Sequence, residues 1–219
     1  MRRLLIIGCG DVGARLIPLA CVRYRVYALT RDVKHCAGLR AQGVTPIVGD
    51  LDQPHTLAAL AGIAHDVVHL APPPAHGVTD TRTAHLIAAL CKSGKSGKSG
   101  KRWQRNKHTQ ASLPQHFVYI STSGVYGDCA GEVVPETRPA RPQTARAKRR
   151  VDAERRLRAW GVRSGVRVSI LRVPGIYAAD RLPLERLKRG TPALRDDEDS
   201  FVNHVHADDL ARLTMTALT

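Results

Sequence analysis

The chain has 219 residues, 43% of them hydrophobic and 24% charged, with a formal net charge of +15. That length suits one sizeable core, or one domain with a small appendage, and the composition is ordinary for a globular protein. No apolar run approaches the ~18 residues of a membrane span, and the five scattered cysteines (Cys9, Cys21, Cys36, Cys91, Cys129) contain no Cys-x-x-Cys pair, so reduced thiols in a cytoplasmic setting are expected rather than a disulfide framework or a zinc site.

The chain opens with Met1-Arg2-Arg3, then the apolar run Leu4-Leu5-Ile6-Ile7, then Gly8-Cys9-Gly10-Asp11-Val12-Gly13. The apolar run is too short for a signal peptide and leads straight into the glycines. Val12, Leu16, Leu19 and Ala20 share one helical face after them. Strand, glycine turn, helix is the context in which Gly-x-Gly-x-x-Gly points to a dinucleotide. Gly8 permits the turn, Gly10 lets the backbone approach a pyrophosphate, and Gly13 lets the helix pack on the strand. The free N–H groups of the helix start then face the phosphates.

Beyond this unit, apolar β-branched runs alternate with helical patterns. Strands are predicted at 3–7, 25–29, 44–48, 66–71, 116–121 and 167–172. Helices are predicted at 11–22, 33–42, 55–62, 80–91, 146–160, 183–189 and 208–218. The alternation implies βαβ units: an α/β, Rossmann-like, doubly wound parallel sheet with helices on both faces.

Residues 92–107 interrupt the pattern. They carry Lys92, Lys95, Lys98, Lys101, Arg102, Arg105 and Lys107 and no acid, within a Lys-Ser-Gly repeat. A P-loop fails on spacing, because Ala89 and Lys92 stand where Walker A needs its first glycine. Connections here are normally short, so 92–113 reads as a disordered basic insertion. A nucleic-acid contact with Trp103 stacking is the less favoured reading.

Further motifs follow in order: Gly49-Asp50-Leu51-Asp52 after the third strand, His69-Leu70-Ala71 at the fourth, Ser121-Thr122-Ser123-Gly124-Val125-Tyr126-Gly127 at the fifth, Leu171-Arg172-Val173-Pro174-Gly175-Ile176-Tyr177 at the sixth, and His204-Val205-His206-Ala207-Asp208-Asp209 near the end. With the glycine motif, this set resembles the extended and atypical short-chain dehydrogenase/reductase superfamily, the NAD(P)-dependent epimerase/dehydratase group. The resemblance implies a dinucleotide-binding domain over 1–178 and a truncated C-terminal substrate lobe over 179–219. It implies NAD(P) held by Gly8, Gly10, Asp11, Val12, Gly13, Thr30, Arg31, Asp50, Leu51, Leu70, Ala71, Pro72 and Pro174, with Thr122 as the catalytic hydroxyl and no metal. The partner is an unidentified small-molecule substrate, neither a membrane nor a nucleic acid, and a homodimer is allowed.

Several of these residues keep a second reading. Asp50 accepts from the adenine amino group or serves as a turn acid. Thr30-Arg31 replaces the acid that holds ribose hydroxyls, which favours NADP modestly, while Arg31 is otherwise a solvent-facing residue. Thr122 orients a substrate oxygen or satisfies backbone at a strand end. His204 and His206 form an His-x-His that the resemblance assigns to a structural turn.

The pattern breaks in one place. These enzymes use a Tyr-x-x-x-Lys pair downstream of Thr122. No tyrosine lies between Gly127 and Glu154, and in register the pair reads Arg146-x-x-x-Arg150. Arginine stays protonated and cannot serve as the acid/base. The resemblance therefore supports cofactor binding more firmly than turnover, and a cofactor-sensing or scaffold protein is the alternative.

Overall fold

The computed structural model describes residues 1–92, 113–182, 184–190, 192, 195 and 202–219. The expected basic insertion thus lies outside the described residues except at its ends. Lys92 is exposed, whereas Leu113 packs against the core, so the insertion stops short of that residue.

The elements run β1 (Arg2–Ile7), α1 (Asp11–Cys21), β2 (Tyr24–Thr30), α2 (His35–Ala41), β3 (Thr45–Val48), β4 (Asp66–His69), α3 (Thr81–Leu90), β5 (His116–Thr122), α4 (Ala145–Ser164), β6 (Arg167–Val173), β7 (Gly175–Tyr177), α5 (Leu184–Lys188), β8 (His204–His206) and α6 (Ala207–Thr216). Short 3-10 helices span Pro54–Leu60, Ser123–Tyr126 and Ala179–Arg181. Six strands form one parallel sheet in the order β3-β2-β1-β4-β5-β6, and β7 pairs with β8 in a separate ribbon. The order reverses between β1 and β4. Ligands of such sheets lie outside the carboxyl ends of the strands at this switch point.

Alternation along β1 explains the layers. Leu5 and Ile7 face a cluster with Leu57, Leu86, Phe117 and Trp160. Leu4 and Ile6 face the opposite cluster with Leu16, Ile17, Leu39 and Ala211. All four β1 side chains are buried, as a strand covered on both faces requires. One layer is therefore α3, α4 and the Pro54 helix; the other is α1, α2 and α6. The last helix belongs to this core, since Ala211 and Leu218 pack with α1.

Helices α3 and α4 begin where side chains satisfy their free N–H groups. Asp80 accepts from the Thr83 N–H at the start of α3, and Thr144 from the Ala147 N–H at the start of α4. Gly165, with φ of 74°, ends α4, a left-handed stop that glycine adopts without strain. This carries α4 beyond the expected 160. The helix expected at 55–62 is a 3-10 helix instead, over Pro54–Leu60. β4 ends at His69, not at 71: the Leu70 and Ala71 N–H groups both bond the Ile7 carbonyl, which turns the chain out of the ladder. The three-residue strands β7 and β8 are too short to leave a periodic signal.

Candidate functional site

The glycine turn leaves β1 with Gly8 at φ +97°. A Cβ there would also lie 2.6 Å from the Ala71 backbone nitrogen, and one on Gly13 would lie 2.6 Å from the Gly8 carbonyl oxygen. Both positions therefore require the residue they have. Gly10 differs: nothing lies within 4 Å of its missing Cβ. It is the N-cap of α1, and no side chain caps that helix. The first-turn N–H groups thus have no side-chain cap beside an open position at Gly10, a cradle that fits a pyrophosphate. Burial pushes the neighbouring Cys9 thiol up to about 11, so it stays protonated.

Asp11 sits in that first turn, but its carboxylate is already engaged. It accepts from Arg15 and from Arg181, each at 2.8 Å. Burial opposes its charge, yet the two arginines prevail and lower its pKa. Arg15 also reaches Asp208 and Asp180, both at 2.7 Å. One arginine therefore joins the glycine turn to the Ala179 helix and to α6. Val12 packs with Leu210 and Val205, so only its backbone is offered to a cofactor.

At the end of β2, the Thr30 hydroxyl is tied to the backbone of Asp32 in the turn. Arg31 is exposed and has no hydrogen bond or ion pair among the described residues. Asp50 uses Oδ1 to accept from the Asp52 N–H, which is the turn role; its Oδ2 has no hydrogen-bond partner among the described residues. Leu51 and Leu70 have side chains packed in the hydrophobic clusters, so their part in a cofactor site is confined to backbone. Ala71 and exposed Pro72 follow β4.

Arg82 connects these loops, and nothing in the sequence marks it. Its guanidinium grips Asp52 in a fork, at 2.8 and 2.6 Å, and donates to the Pro72 and Pro73 carbonyls. The contact lowers the Asp52 pKa. Beneath the Pro72 loop, a buried chain joins His69 to Thr83 at 3.2 Å and Thr83 to Asp80 at 3.0 Å. Burial first, then Arg150 and Arg82, push the His69 pKa down to about 3, so the imidazole is neutral.

Over β5 and β6 the groups are side chains. The Thr122 Oγ accepts from the Gly124 N–H at 3.3 Å, which leaves its hydrogen available to donate. Thr122, Arg146, Pro174, Ile176 and Arg181 line one cleft of about 480 Å³. A larger groove of about 1650 Å³ adjoins it at Ser123, Gly124 and Pro174, and Tyr126 lines that groove. The two arginines in register with Tyr-x-x-x-Lys have separate fates. Arg146 is exposed at the cleft, without a hydrogen bond or ion pair among the described residues. Arg150 is buried, and its Nη1 donates to the Tyr119 hydroxyl and the Ile120 carbonyl. Tyr119 is no substitute acid, since burial raises its pKa to about 12 against the pull of Arg150.

Behind this cleft, buried Glu154 accepts from Ser121 at 2.6 Å and from Arg172 at 2.8 Å. Burial raises its pKa, but Arg172 and Ser121 reverse the sign and lower it. Arg172 then stacks over the Tyr126 ring at 4.7 Å. The remaining motif, His204-x-His206, is structural: His206 is the N-cap of α6, its Nδ1 accepting from the Asp208 N–H, and the rings of His204 and His206 both lie edge-on to Tyr177.

A glycine cradle at the switch point of a 3-2-1-4-5-6 sheet calls for a dinucleotide, and the comparisons agree. A family model described as NAD(P)H-binding matches residues 8–219. The chain belongs to the NAD(P)H-binding family. Among solved structures, this family member is similar to the UDP-glucose 4-epimerase of Thermus thermophilus in complex with NAD, at 22% identity and a TM-score of 0.73, covering 99% of this chain and 74% of that one. It is also similar to the UDP-Glc/GlcNAc 4-epimerase of Campylobacter jejuni, at 18% identity and a TM-score of 0.73, covering 100% and 74%. A functionally unknown conserved protein of Silicibacter pomeroyi matches at 22% identity and a TM-score of 0.69, covering 100% and 68%. These likenesses are of fold. No curated protein matches the chain. Among the described residues, no helix is long and apolar enough to cross a membrane.

Proposed function

We propose that this protein is an NAD(P)-dependent oxidoreductase of the epimerase/dehydratase kind, acting at a hydroxyl or carbonyl carbon of a small molecule. The observation that carries the reading is the uncapped start of α1 behind Gly10, open to a ligand and flanked by two glycines that cannot be replaced. Gly8 to Gly13 would hold the pyrophosphate, Oδ2 of Asp50 the adenine amino group, and Thr30-Arg31 the adenosine ribose. The exposed, unpaired Arg31 and the absence of an acid at Thr30 favour NADP over NAD. Pro72 and Pro174 would border the nicotinamide. When bound, that ring supplies or accepts a hydride. Thr122 donates its free hydroxyl hydrogen to the substrate oxygen, and the proton that oxygen finally carries is exchanged with water. Residues 1–178 would form the cofactor unit together with α6, which packs on α1, and the segment after 178 brings Arg181 to the cleft. The five free cysteines suit a cytoplasmic setting.

A second reading, a cofactor-occupancy sensor without chemistry, is favoured by one observation: among the described residues, no tyrosine lines the Thr122 cleft. Fluorescence titration with NADPH and NADH, on wild type and Gly10→Val, tests the shared part. The expected result is binding by wild type and a loss of at least tenfold in the variant. Failure of wild type to bind either cofactor overturns both readings. Oxidation of bound NADPH by small carbonyl compounds then separates enzyme from sensor.

A further inference from the structure

The cleft at Thr122 holds one arginine charge, that of Arg146, which no described residue neutralises. Among the described residues, two arginines line it and no acid does. Arg181 is committed to Asp11 at 2.8 Å. Arg146 has no partner among the described residues, though it stands on α4 at the mouth of a cleft large enough for a small molecule. A permanent guanidinium charge in a concave site is complemented by an oxyanion, which its fork of N–H groups binds with two parallel bonds. We propose that the cleft is a binding site for the anionic group, carboxylate or phosphate, of a small hydroxyl or carbonyl compound, held by Arg146 with its oxygen toward Thr122. This deepens the oxidoreductase reading and rests on it for the identity of the reacting carbon.

Topology separates this anion from those of the cofactor. Arg31 follows β2 and Thr122 ends β5, three strand positions away in the sheet, or about 14 Å at ordinary strand spacing. The pyrophosphate cradle lies between them, at the end of β1. Arg146 therefore adds a third anion position instead of duplicating either of the first two. The position also gives the departure from Tyr-x-x-x-Lys a purpose. An arginine where a tyrosine is expected removes proton transfer and supplies recognition of charge.

The test uses the full chain and two matched pairs of probes: pyruvate against acetone for a carboxylate, and dihydroxyacetone phosphate against dihydroxyacetone for a phosphate. Each is titrated calorimetrically, with and without saturating NADP. At least one charged member is expected to bind tenfold or more tightly than its neutral partner, and the pair that shows the difference names the anion. Arg146→Gln is expected to erase the difference, Arg146→Lys to retain part of it, and Arg163→Gln, an exposed change at the far end of α4, to leave it intact. Arg146 is exposed and unpaired, so its variants fold; unchanged NADPH affinity verifies this. Equal affinity for charged and neutral probes, or an undiminished difference in Arg146→Gln, overturns the proposal. Loss of NADPH binding by wild type instead overturns the cofactor reading, and the titrations without NADP still decide this one.

Discussion

Over β1, the groups offered to a ligand are backbone: a left-handed glycine, an uncapped helix start, and an open position at Gly10. Over β5 and β6, they are side chains: Thr122, Arg146 and Arg181 around a cleft, with Glu154 and Arg172 behind it. The first region is dictated by sterics, so any chain that makes this turn must present nearly the same surface. The second depends on what each side chain carries, and here arginines stand where a tyrosine and a lysine are expected. Binding machinery made of backbone persists with the fold, while machinery made of side chains can be exchanged without disturbing it.

The sharpest test of that contrast sets two buried features against each other. Glu154→Ala leaves the Arg172 guanidinium without its carboxylate, and breaking such a buried pair costs about 3–5 kcal/mol; urea unfolding of the variant measures it. Gly8→Ala places a Cβ against the Ala71 backbone at a positive φ, and about 2–4 kcal/mol of stability is expected to go with it. Gly10→Val, two residues away, is expected to leave the urea midpoint nearly unchanged. An equal loss of stability in the two glycine variants would break the division between the turn's structural and binding positions.

Acid provides a further test. His69 is neutral in the fold with its pKa lowered to about 3, whereas the unfolded chain takes up the proton near 6.5. The unfolded state therefore binds more protons below pH 6.5, and stability falls as pH drops. The expected slope is about 1.4 kcal/mol per pH unit between pH 6 and 5, before the carboxylates contribute. His69→Gln should flatten the slope in that window. The smallest effect is expected from Arg82→Ala. Its partly exposed fork on Asp52 contributes only about 0.5–1 kcal/mol to stability. The loosened Asp52 and Pro72 loops should still weaken NADPH binding about threefold.

The sequence exposes the backbone region almost completely. Glycine spacing after an apolar run specifies both the turn and the cradle, because φ and close approach leave few alternatives. The doubly wound parallel sheet follows from the βαβ alternation, whereas the strand order is read from the structure. What stays hidden depends on residues distant in the chain. Arg82 meets Asp52 thirty residues away, Arg15 meets Asp180 and Asp208, and Arg181 meets Asp11; no local pattern encodes such pairings. Arg150 illustrates the same limit: register sets it in the lysine position, but only packing shows that it turns inward to Tyr119 and Ile120.

The Asp11 carboxylate ties the glycine turn to the cleft. It lies in the first turn behind the cradle and holds Arg181, which lines the cleft. A dinucleotide pressing on that turn acts on the same ion pair as a molecule entering the cleft. The affinities of the two ligands are then linked, and reciprocally: any factor by which the first changes the second, the second must return to the first. Titration of each ligand with the other present at saturation would register this as the same factor in both affinities.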